Sequence, residues 1–359
     1  MIEFTKFLEK LGSNFLVSSM VPSLALVVAS ILMFDPILKI ATTFENPKSP
    51  YQLISFGVMV FIFTVIIGFT LTALNTFILK MFEGYFIFPP IRFLYNKVQK
   101  IHQEKARSLQ RHRDKLKSHI RRLEGLNKHE TERQPELDEF KDRYYAAAAS
   151  YDLTYPEALA DVLPTQFGNT LKAAENYSGD RYGFDGVSFW PRLVYVIPND
   201  YKLTIDSVRN ELSFLVNMSV LSIIFSLFCV FAIFYSMWTF DVGNFGPVAF
   251  FTFFMQAFQY LLAAAIGMIS CGLFYKASIL SVGSFGLMIR SSVDLFRMDL
   301  LKRLEVERPR DSREEFMAWQ TLSDRIVLGR QRLVRKKNLL PEGKIPICQH
   351  WKRIVDRRL

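Results

Sequence analysis

The polar side chains inside the long apolar segments are the residues best placed to do chemistry. Gln256 and Gln259 lie three residues apart in one segment, and Thr72 and Asn75 lie three apart in another. Such groups are costly in lipid, so they should face protein or water. Around a symmetry axis they can line a pore, and we predict that these four residues do so. The alternative is that these residues only hold the helices of a bundle together.

The apolar segments have no charged residue or histidine in their cores. Ion-coupled transporters generally use such residues within the membrane, so the sequence argues against a transporter and is compatible with a passive pore. A subunit with only four spans encloses little space by itself. A pore therefore requires a homo-oligomer.

Enzymatic motifs are missing from the sequence. It contains no Walker loop, Rossmann glycine fingerprint or nucleophile elbow. His102, His112, His119 and His129 are spaced by 10, 7 and 10 residues, which is unsuited to a metal site, and we expect them at the surface. The sequence thus predicts a protein that is not an enzyme, with no catalytic residue, metal or cofactor.

Four segments are long enough to span a membrane, since a helix needs about 20 apolar residues to cross it. They are Leu11 to Phe34, Tyr51 to Leu79, Leu212 to Phe240, and a stretch within Val242 to Tyr275. The first is too long for a signal peptide and lacks a convincing cleavage site, so we predict a retained anchor.

The distribution of charge predicts the orientation of the spans. Residues 80–211 and 276–359 hold 40 of the 44 basic residues. The positive-inside rule places both segments, and with four spans both termini, in the cytoplasm of a bacterial inner membrane. Small residues recur at intervals of three and four in the third span, where they predict a seam for close helix packing. The seam comprises Ser219, Ser222, Ser226, Cys229, Ile233 and Ser236, and only Ile233 breaks the run of small side chains.

A basic helix is predicted from Arg92 to Leu126, where an interrupted heptad stripe of apolar residues faces inward. Its basic face, with a second cluster near residue 335, is the predicted ligand site. The predicted ligand-binding residues are Arg107, Arg111, Arg113, Lys115, Lys117, Arg121, Arg122, Arg335, Lys336 and Lys337. Three roles remain open: a solvated face, contact with anionic headgroups, and binding of nucleic acid or a nucleotide.

The remaining polar segments predict short helices. We expect a helix from about Phe167 to Tyr177, a turn at 178–180, and a buried pair between Asp185 and Arg192. The fourth span should continue as a helix past residue 276. Ser312 and Glu315 match a capping box for the helix that follows.

Several motifs resemble those of a family of bacterial four-span membrane proteins to which no activity is attached. They are Glu83-Gly84-Tyr85, Pro164-Thr165-x-x-Gly168-Asn169, Arg181-Tyr182-Gly183-x-Asp185, Trp190-Pro191-Arg192-Leu193 and Asp294-Leu295-Phe296-Arg297. The layout of a few spans joined to a cytoplasmic part is also similar to that of prokaryotic antiviral effector channels. This second likeness implies a role in antiviral defence.

Together these patterns predict an all-α integral membrane protein with four transmembrane helices and a mainly helical cytoplasmic domain. The predicted divisions are residues 1–79, 80–211, 212–275 and 276–359. The expected function is a homo-oligomeric ion channel or pore gated by its cytoplasmic domain, with a nucleotide or oligonucleotide as the candidate ligand. The alternative is a non-conducting membrane scaffold or sensor that recruits a cytoplasmic protein partner.

Overall fold

The computed structural model of the protein describes residues 15–38, 50–85, 92–126, 134–239 and 247–328. The structure is 90% helical, and these residues form no strand. A π-helical turn, Leu16–Met20, leads into α1 (Val21–Leu38). There follow α2 (Pro50–Glu83), α3 (Arg92–Leu126), α4 (Gln134–Thr154), a short 3-10 helix (Leu159–Asp161), α5 (Gln166–Tyr182), α6 (Gly186–Leu193), α7 (Asn199–Trp238), α8 (Pro247–Arg303) and α9 (Ser312–Leu328).

Four of these helical segments are long and apolar enough to cross a membrane, which confirms the predicted number of candidate spans. They lie within Leu16–Phe34, Ile54–Glu83, Asn199–Trp238 and Phe250–Arg303. We call the apolar parts of these helices the span bundle. Much of its surface is apolar and exposed, as a lipid-facing surface should be. The remaining helices, with residues 199–211 of α7 and 276–303 of α8, form what we call the polar lobe.

The small-residue seam of α7 packs against α8, as predicted. Ser219 Oγ donates to the Cys271 carbonyl at 3.1 Å, and Ser226 Oγ donates to the Ala264 carbonyl. A Cβ at Gly267 would lie 2.9 Å from Ser226 Oγ, so the glycine permits the close approach. On the opposite face, Phe228, Phe231 and Phe234 are exposed.

Helix α8 joins the span bundle to the polar lobe without interruption. It has 57 residues, so it is about 85 Å long. The predicted continuation of the fourth span as a helix is confirmed. The part of α8 that lies in the polar lobe, which we call its lower part, packs closely on α5. A Cβ at Gly286 would lie 2.9 Å from Ala174 Cβ. Helix α7, of 40 residues, likewise extends from the span bundle into the polar lobe.

The end of α2 is joined to the start of α5 by the Pro164-Thr165-x-x-Gly168-Asn169 motif. Thr165 Oγ1 donates to the Phe82 carbonyl at 2.6 Å and accepts from the Gly168 amide at 3.0 Å. A Cβ at Gly168 would come within 2.3 Å of the Glu83 carbonyl oxygen. The negative end of one helix dipole thus meets the positive end of the other, an arrangement that stabilises the contact.

The core of the polar lobe lies where α6, α8 and α9 meet. Phe184, Phe189, Leu193 and Trp319 are completely buried there, with Leu300 of α8 almost so. The Trp319 and Phe184 rings pack edge to face, with centroids 4.6 Å apart. Burial of these large apolar side chains is the main force that holds α9 and α6 against α8.

Two predictions near α5 are wrong. Residues 178–180 form part of α5 and not a turn, since the helix continues to Tyr182 and ends at Gly183, whose φ of 71° favours glycine. Asp185 does not pair with Arg192. It caps α6 by accepting from the Ser188 amide at 3.3 Å, while Arg192 donates to the Ser188 carbonyl at 2.9 Å.

The predicted capping box of α9 is displaced by one residue. Asp311 Oδ1 accepts from the Glu314 amide at 2.7 Å, and Glu314 Oε2 accepts from the Arg310 amide at 2.6 Å. Glu315 instead pairs with Arg297 of α8, with Oε1 and Nε 2.7 Å apart. The sequence spacing fits a cap at Ser312 with Glu315 or at Asp311 with Glu314. The ion pair of Glu315 with Arg297 of α8 favours the second.

Helices α3 and α4 pack together as a hairpin, with Ile120, Leu123 and Leu137 buried between them. His102 Nδ1 lies 3.1 Å from the Tyr155 hydroxyl, and the His119 ring packs on Phe140 at 4.3 Å. These two histidines are half-buried, so the prediction that they are surface residues is wrong for them. His129 lies outside the described residues.

Candidate functional site

Three candidate spans meet at the π-helical turn that precedes α1. Asn217 of α7 donates its amide to the Ser18 carbonyl at 2.7 Å, and Thr72 of α2 lies 3.1 Å from the Ser19 hydroxyl. Ser23 donates to the Ser19 carbonyl at 2.7 Å. We call Ser18, Ser19, Thr72 and Asn217 the polar junction. A π turn widens the helix locally, and such turns frequently mark functional sites.

Two amide oxygens in this part of the span bundle lack a hydrogen-bond donor among the described residues. They are Oδ1 of Asn217, a residue 2% exposed, and Oδ1 of Asn75, one turn along α2 from Thr72. An unsatisfied buried acceptor costs about 1–3 kcal/mol. Water or a donor from another chain would satisfy these two oxygens.

The two glutamines of α8 have different surroundings. Gln256 is half-buried and donates to the Tyr260 hydroxyl at 3.2 Å, within its own helix. Tyr260 is in turn 1% exposed and stacks on Phe34, with centroids 5.9 Å apart. Gln259 is exposed between the exposed apolar side chains of Phe258 and Leu262.

The predicted pore residues lie at two depths of the span bundle. The rings of Phe82 and Tyr275 pack 5.7 Å apart and mark a common level at the end of α2 and the middle of α8, where the span bundle meets the polar lobe. With a rise of 1.5 Å per residue, Asn75 stands about 10 Å above this level and Gln259 about 24 Å above it. A pore lined by both pairs would therefore be polar at two separate heights.

Six of the seven predicted basic residues on α3 are exposed. They are Arg107, Arg111, Lys115, Lys117, Arg121 and Arg122. Arg113 has a different environment, because its guanidinium lies over the Tyr151 ring at 5.0 Å and 3.5 Å from Asp152. It holds α3 to α4. Arg335, Lys336 and Lys337 lie outside the described residues.

Arg290 links the hairpin to α8. Its Nη2 donates to the Asp152 carbonyl at the end of α4, at 2.6 Å, and to the Ala173 carbonyl of α5, at 3.0 Å. Its guanidinium also lies 4.9 Å from the centre of the Tyr177 ring. One side chain of the long helix therefore binds both the hairpin and α5.

Next to Arg290, two tyrosines of α5 converge on one carboxylate of α8. Asp294 accepts from the Tyr177 hydroxyl at 3.0 Å and from the Tyr182 hydroxyl at 2.7 Å. The Arg297 guanidinium covers the Tyr182 ring at 4.0 Å. Burial, with the hydrogen bond to Asp294, raises the pKa of Tyr177 to about 12. We call Tyr177, Tyr182, Arg290, Asp294 and Arg297 the tyrosine–arginine node.

No family model matches the chain, and neither a curated protein nor a solved structure does.

No role was predicted for the residues of the node, and of the polar junction only Thr72 was predicted, as a pore residue. Tyr177 and Asp294 are 117 residues apart in the chain, so no local spacing connects them. Asn217 could have been noticed as an amide in an apolar run, but the π turn it binds has no sequence signature. Among the described residues, no group of His, Cys, Asp and Glu side chains is arranged to hold a metal ion.

Proposed function

We propose that this chain is one subunit of a homo-oligomeric ion channel in a bacterial inner membrane, gated by its polar lobe on the cytoplasmic side. The observation that carries the proposal is helix α8. Its apolar half presents an exposed glutamine, and its polar half binds the basic hairpin through Arg290. One continuous helix thus connects a candidate lumen to a candidate sensor.

Gln259 supports assembly into an oligomer. An amide near the middle of a span is unfavourable in lipid, and in the single chain this one is exposed beside apolar neighbours. A second copy of the chain, or a water-filled lumen between copies, would provide its hydrogen bonds. Gln259 is therefore the pore-lining residue that we favour among the four predicted.

Arg290 supports a route for gating. A ligand that binds the hairpin more tightly in one conformation shifts the population toward it. The hairpin's backbone at Asp152 is bonded directly to α8, so a shift of the hairpin is passed to the helix that carries Gln259. The orientation rests on the positive-inside rule, which places the basic lobe in the cytoplasm.

A non-conducting scaffold that recruits a cytoplasmic partner is the second candidate. Two observations favour it: Gln256 bonds to Tyr260, and Thr72 contacts Ser19, both within one chain. Polar residues used in this way stabilise a bundle and need no lumen.

The experiment is a planar-bilayer recording of the purified protein, with Gln259→Leu and the matched variant Gln256→Leu. In a channel, Gln259→Leu should alter single-channel conductance, because it removes an amide from the lumen. Gln256→Leu should leave conductance nearly unchanged and lower thermal stability, since it removes the bond to Tyr260. Correctly inserted protein that passes no current, with or without oligonucleotide, would rule out the channel and favour the scaffold.

A further inference from the structure

The solvent-facing side of α3 carries a straight array of cations. Lys100, Arg107, Arg111, Lys115 and Arg122 follow one another at steps of seven, four, four and seven residues, and all five are exposed. Steps of this size return to the same face of a helix, so the charges lie in one line about 33 Å long. We call these five residues the cation stripe. Helix α3 has 11 basic and three acidic residues in total.

The described part of the chain leaves the cation stripe uncovered. The opposite face of α3 packs in the hairpin through Leu116, Ile120 and Leu123. Within the described residues, none of the five cations forms a salt bridge. Five unpaired positive charges in a line repel one another, so an anionic partner would stabilise them.

Most of the stripe is far from the level at which the span bundle ends. Arg113 contacts Asp152, and the backbone of Asp152 contacts Arg290. Arg290 lies 15 residues beyond Tyr275, which corresponds to about 22 Å along α8. At physiological salt, electrostatic attraction is largely screened beyond about 8 Å. Anionic headgroups therefore lie too far away to bind this part of the stripe.

The chemistry of the stripe favours phosphates over bases. Helix α3 has no Phe, Tyr or Trp from Lys97 to Gly125, whereas proteins that hold single strands stack bases on aromatic rings. We infer that the cation stripe binds double-stranded nucleic acid through its phosphate backbone, without reading the base sequence. In the proposed channel, the duplex would be the ligand that acts on the gate, and that role rests on the channel proposal. Binding of the duplex does not.

Binding can be measured by fluorescence anisotropy of a labelled 20-base-pair DNA duplex, with the full-length protein in nanodiscs of zwitterionic lipid. Five phosphate contacts predict a slope of about −4.5 for log affinity against log salt. The triple variant Arg107→Gln, Arg111→Gln, Lys115→Gln should reduce the slope to about −1.8. Its affinity at 0.15 M salt should fall roughly 100-fold, since each lost contact reduces counterion release.

The matched control removes three exposed charges from the end of α8 and the segment after it: Lys302→Gln, Arg303→Gln and Arg308→Gln. It should keep the wild-type slope. Duplexes of unrelated sequence should bind equally, and a single strand of the same length should bind more weakly.

Three results would overturn the inference: no binding at 0.05 M salt, an equal effect of the control triple, or tighter binding of polyglutamate than of the duplex. The last result would indicate an acidic protein as the partner. Because anisotropy requires no current, a silent bilayer would reject the channel and leave this inference standing. A conducting channel with no duplex binding would do the opposite.

Discussion

At Gly168 the backbone of α5 comes so close to the end of α2 that no side chain fits between them. A Cβ there would lie 2.3 Å from the Glu83 carbonyl oxygen, and both partners are backbone atoms at helix ends that cannot move separately. The sequence marks this glycine only as part of a motif. The need for glycine comes from a tertiary contact, because the carbonyl that a Cβ would meet belongs to Glu83, 85 residues earlier in the chain.

Gly168→Ala should therefore destabilise the protein by about 1–3 kcal/mol, the usual effect of overpacking. Thermal unfolding in detergent, followed by circular dichroism, measures the change. Gly272→Ala is the control, since nothing lies within 4 Å of a Cβ at Gly272 and alanine is the better helix former. Equal melting temperatures for wild type and Gly168→Ala would contradict the described joint.

Tyr177 permits a test of the tyrosine–arginine node by pH. Its pKa in the folded protein, about 12, is above the value near 10 of an unfolded chain. A raised pKa contributes stability that is complete below pH 10 and is lost as the pH rises toward 12. Tyr177→Phe should flatten that loss in alkaline unfolding experiments. Tyr145→Phe, at an exposed tyrosine of α4, should leave it unchanged.

At the scale of elements, the apolar helices were predictable and their docking was not. Runs of apolar residues predicted the four candidate spans, and intervals of three and four predicted the seam of α7 but not that α8 is its partner. The end of α5 was missed because Ser178, Gly179 and Asp180 favour turns locally, while Ser178 is buried against its neighbours in the fold. The start of α9 was missed because two acidic residues compete for the same cap.

The ion pair of Glu315 with Arg297 docks α9 on α8 and is largely shielded from water, with side chains 9% and 17% exposed. Glu315→Gln should destabilise the protein by about 1–3 kcal/mol, because it removes the charged partner of a shielded guanidinium, which keeps its bond to the Asp294 carbonyl and its contact with the Tyr182 ring. Chemical denaturation measures the effect. The exposed pair of Glu139 and Arg143 is the control, and Glu139→Gln should change stability by less than about 0.5 kcal/mol.

Arg290 gives the second prediction for elements. Arg290→Ala removes the bonds to the backbone of Asp152 and Ala173, so the hairpin should separate from α8 more often. Hydrogen exchange should become faster at the end of α4, around Asp152, and stay unchanged in the seam of α7. Faster exchange throughout the chain would show that Arg290 supports the whole fold and is no specific link.

At the scale of the whole molecule, charge and composition predicted the arrangement better than they predicted contacts. The separation into a span bundle and a polar lobe follows from where apolar and charged residues lie. The two depths of the predicted pore residues do not, because depth depends on how α2 and α8 are aligned. That alignment depends on contacts between distant parts of the chain, among them the packing of Phe82 on Tyr275.

The proposed orientation predicts which sites a membrane-impermeant maleimide reaches. In a background with the three native cysteines replaced, Ser118→Cys on the hairpin and Met317→Cys on α9 should react only in inside-out vesicles. Thr239→Cys, at the other end of α7, should react only from the opposite side. All three positions are exposed, so a lack of reaction reflects the side and not burial. Labelling of Ser118→Cys in intact cells would reverse the topology.

The length of α8 has a mechanical consequence. Tyr275 lies at its midpoint, with about 28 residues on each side, so the helix resembles a seesaw with two equal arms of about 42 Å. No proline interrupts it after its first residue, and among the other sites at which helices bend it has a Gly-Ser pair at Gly283 and Ser284. A tilt of the straight helix about Tyr275 moves its two tips by equal and opposite distances. A displacement of about 2 Å at the lower tip, the scale of a helix shift in a switching protein, would then reappear undiminished at the upper one.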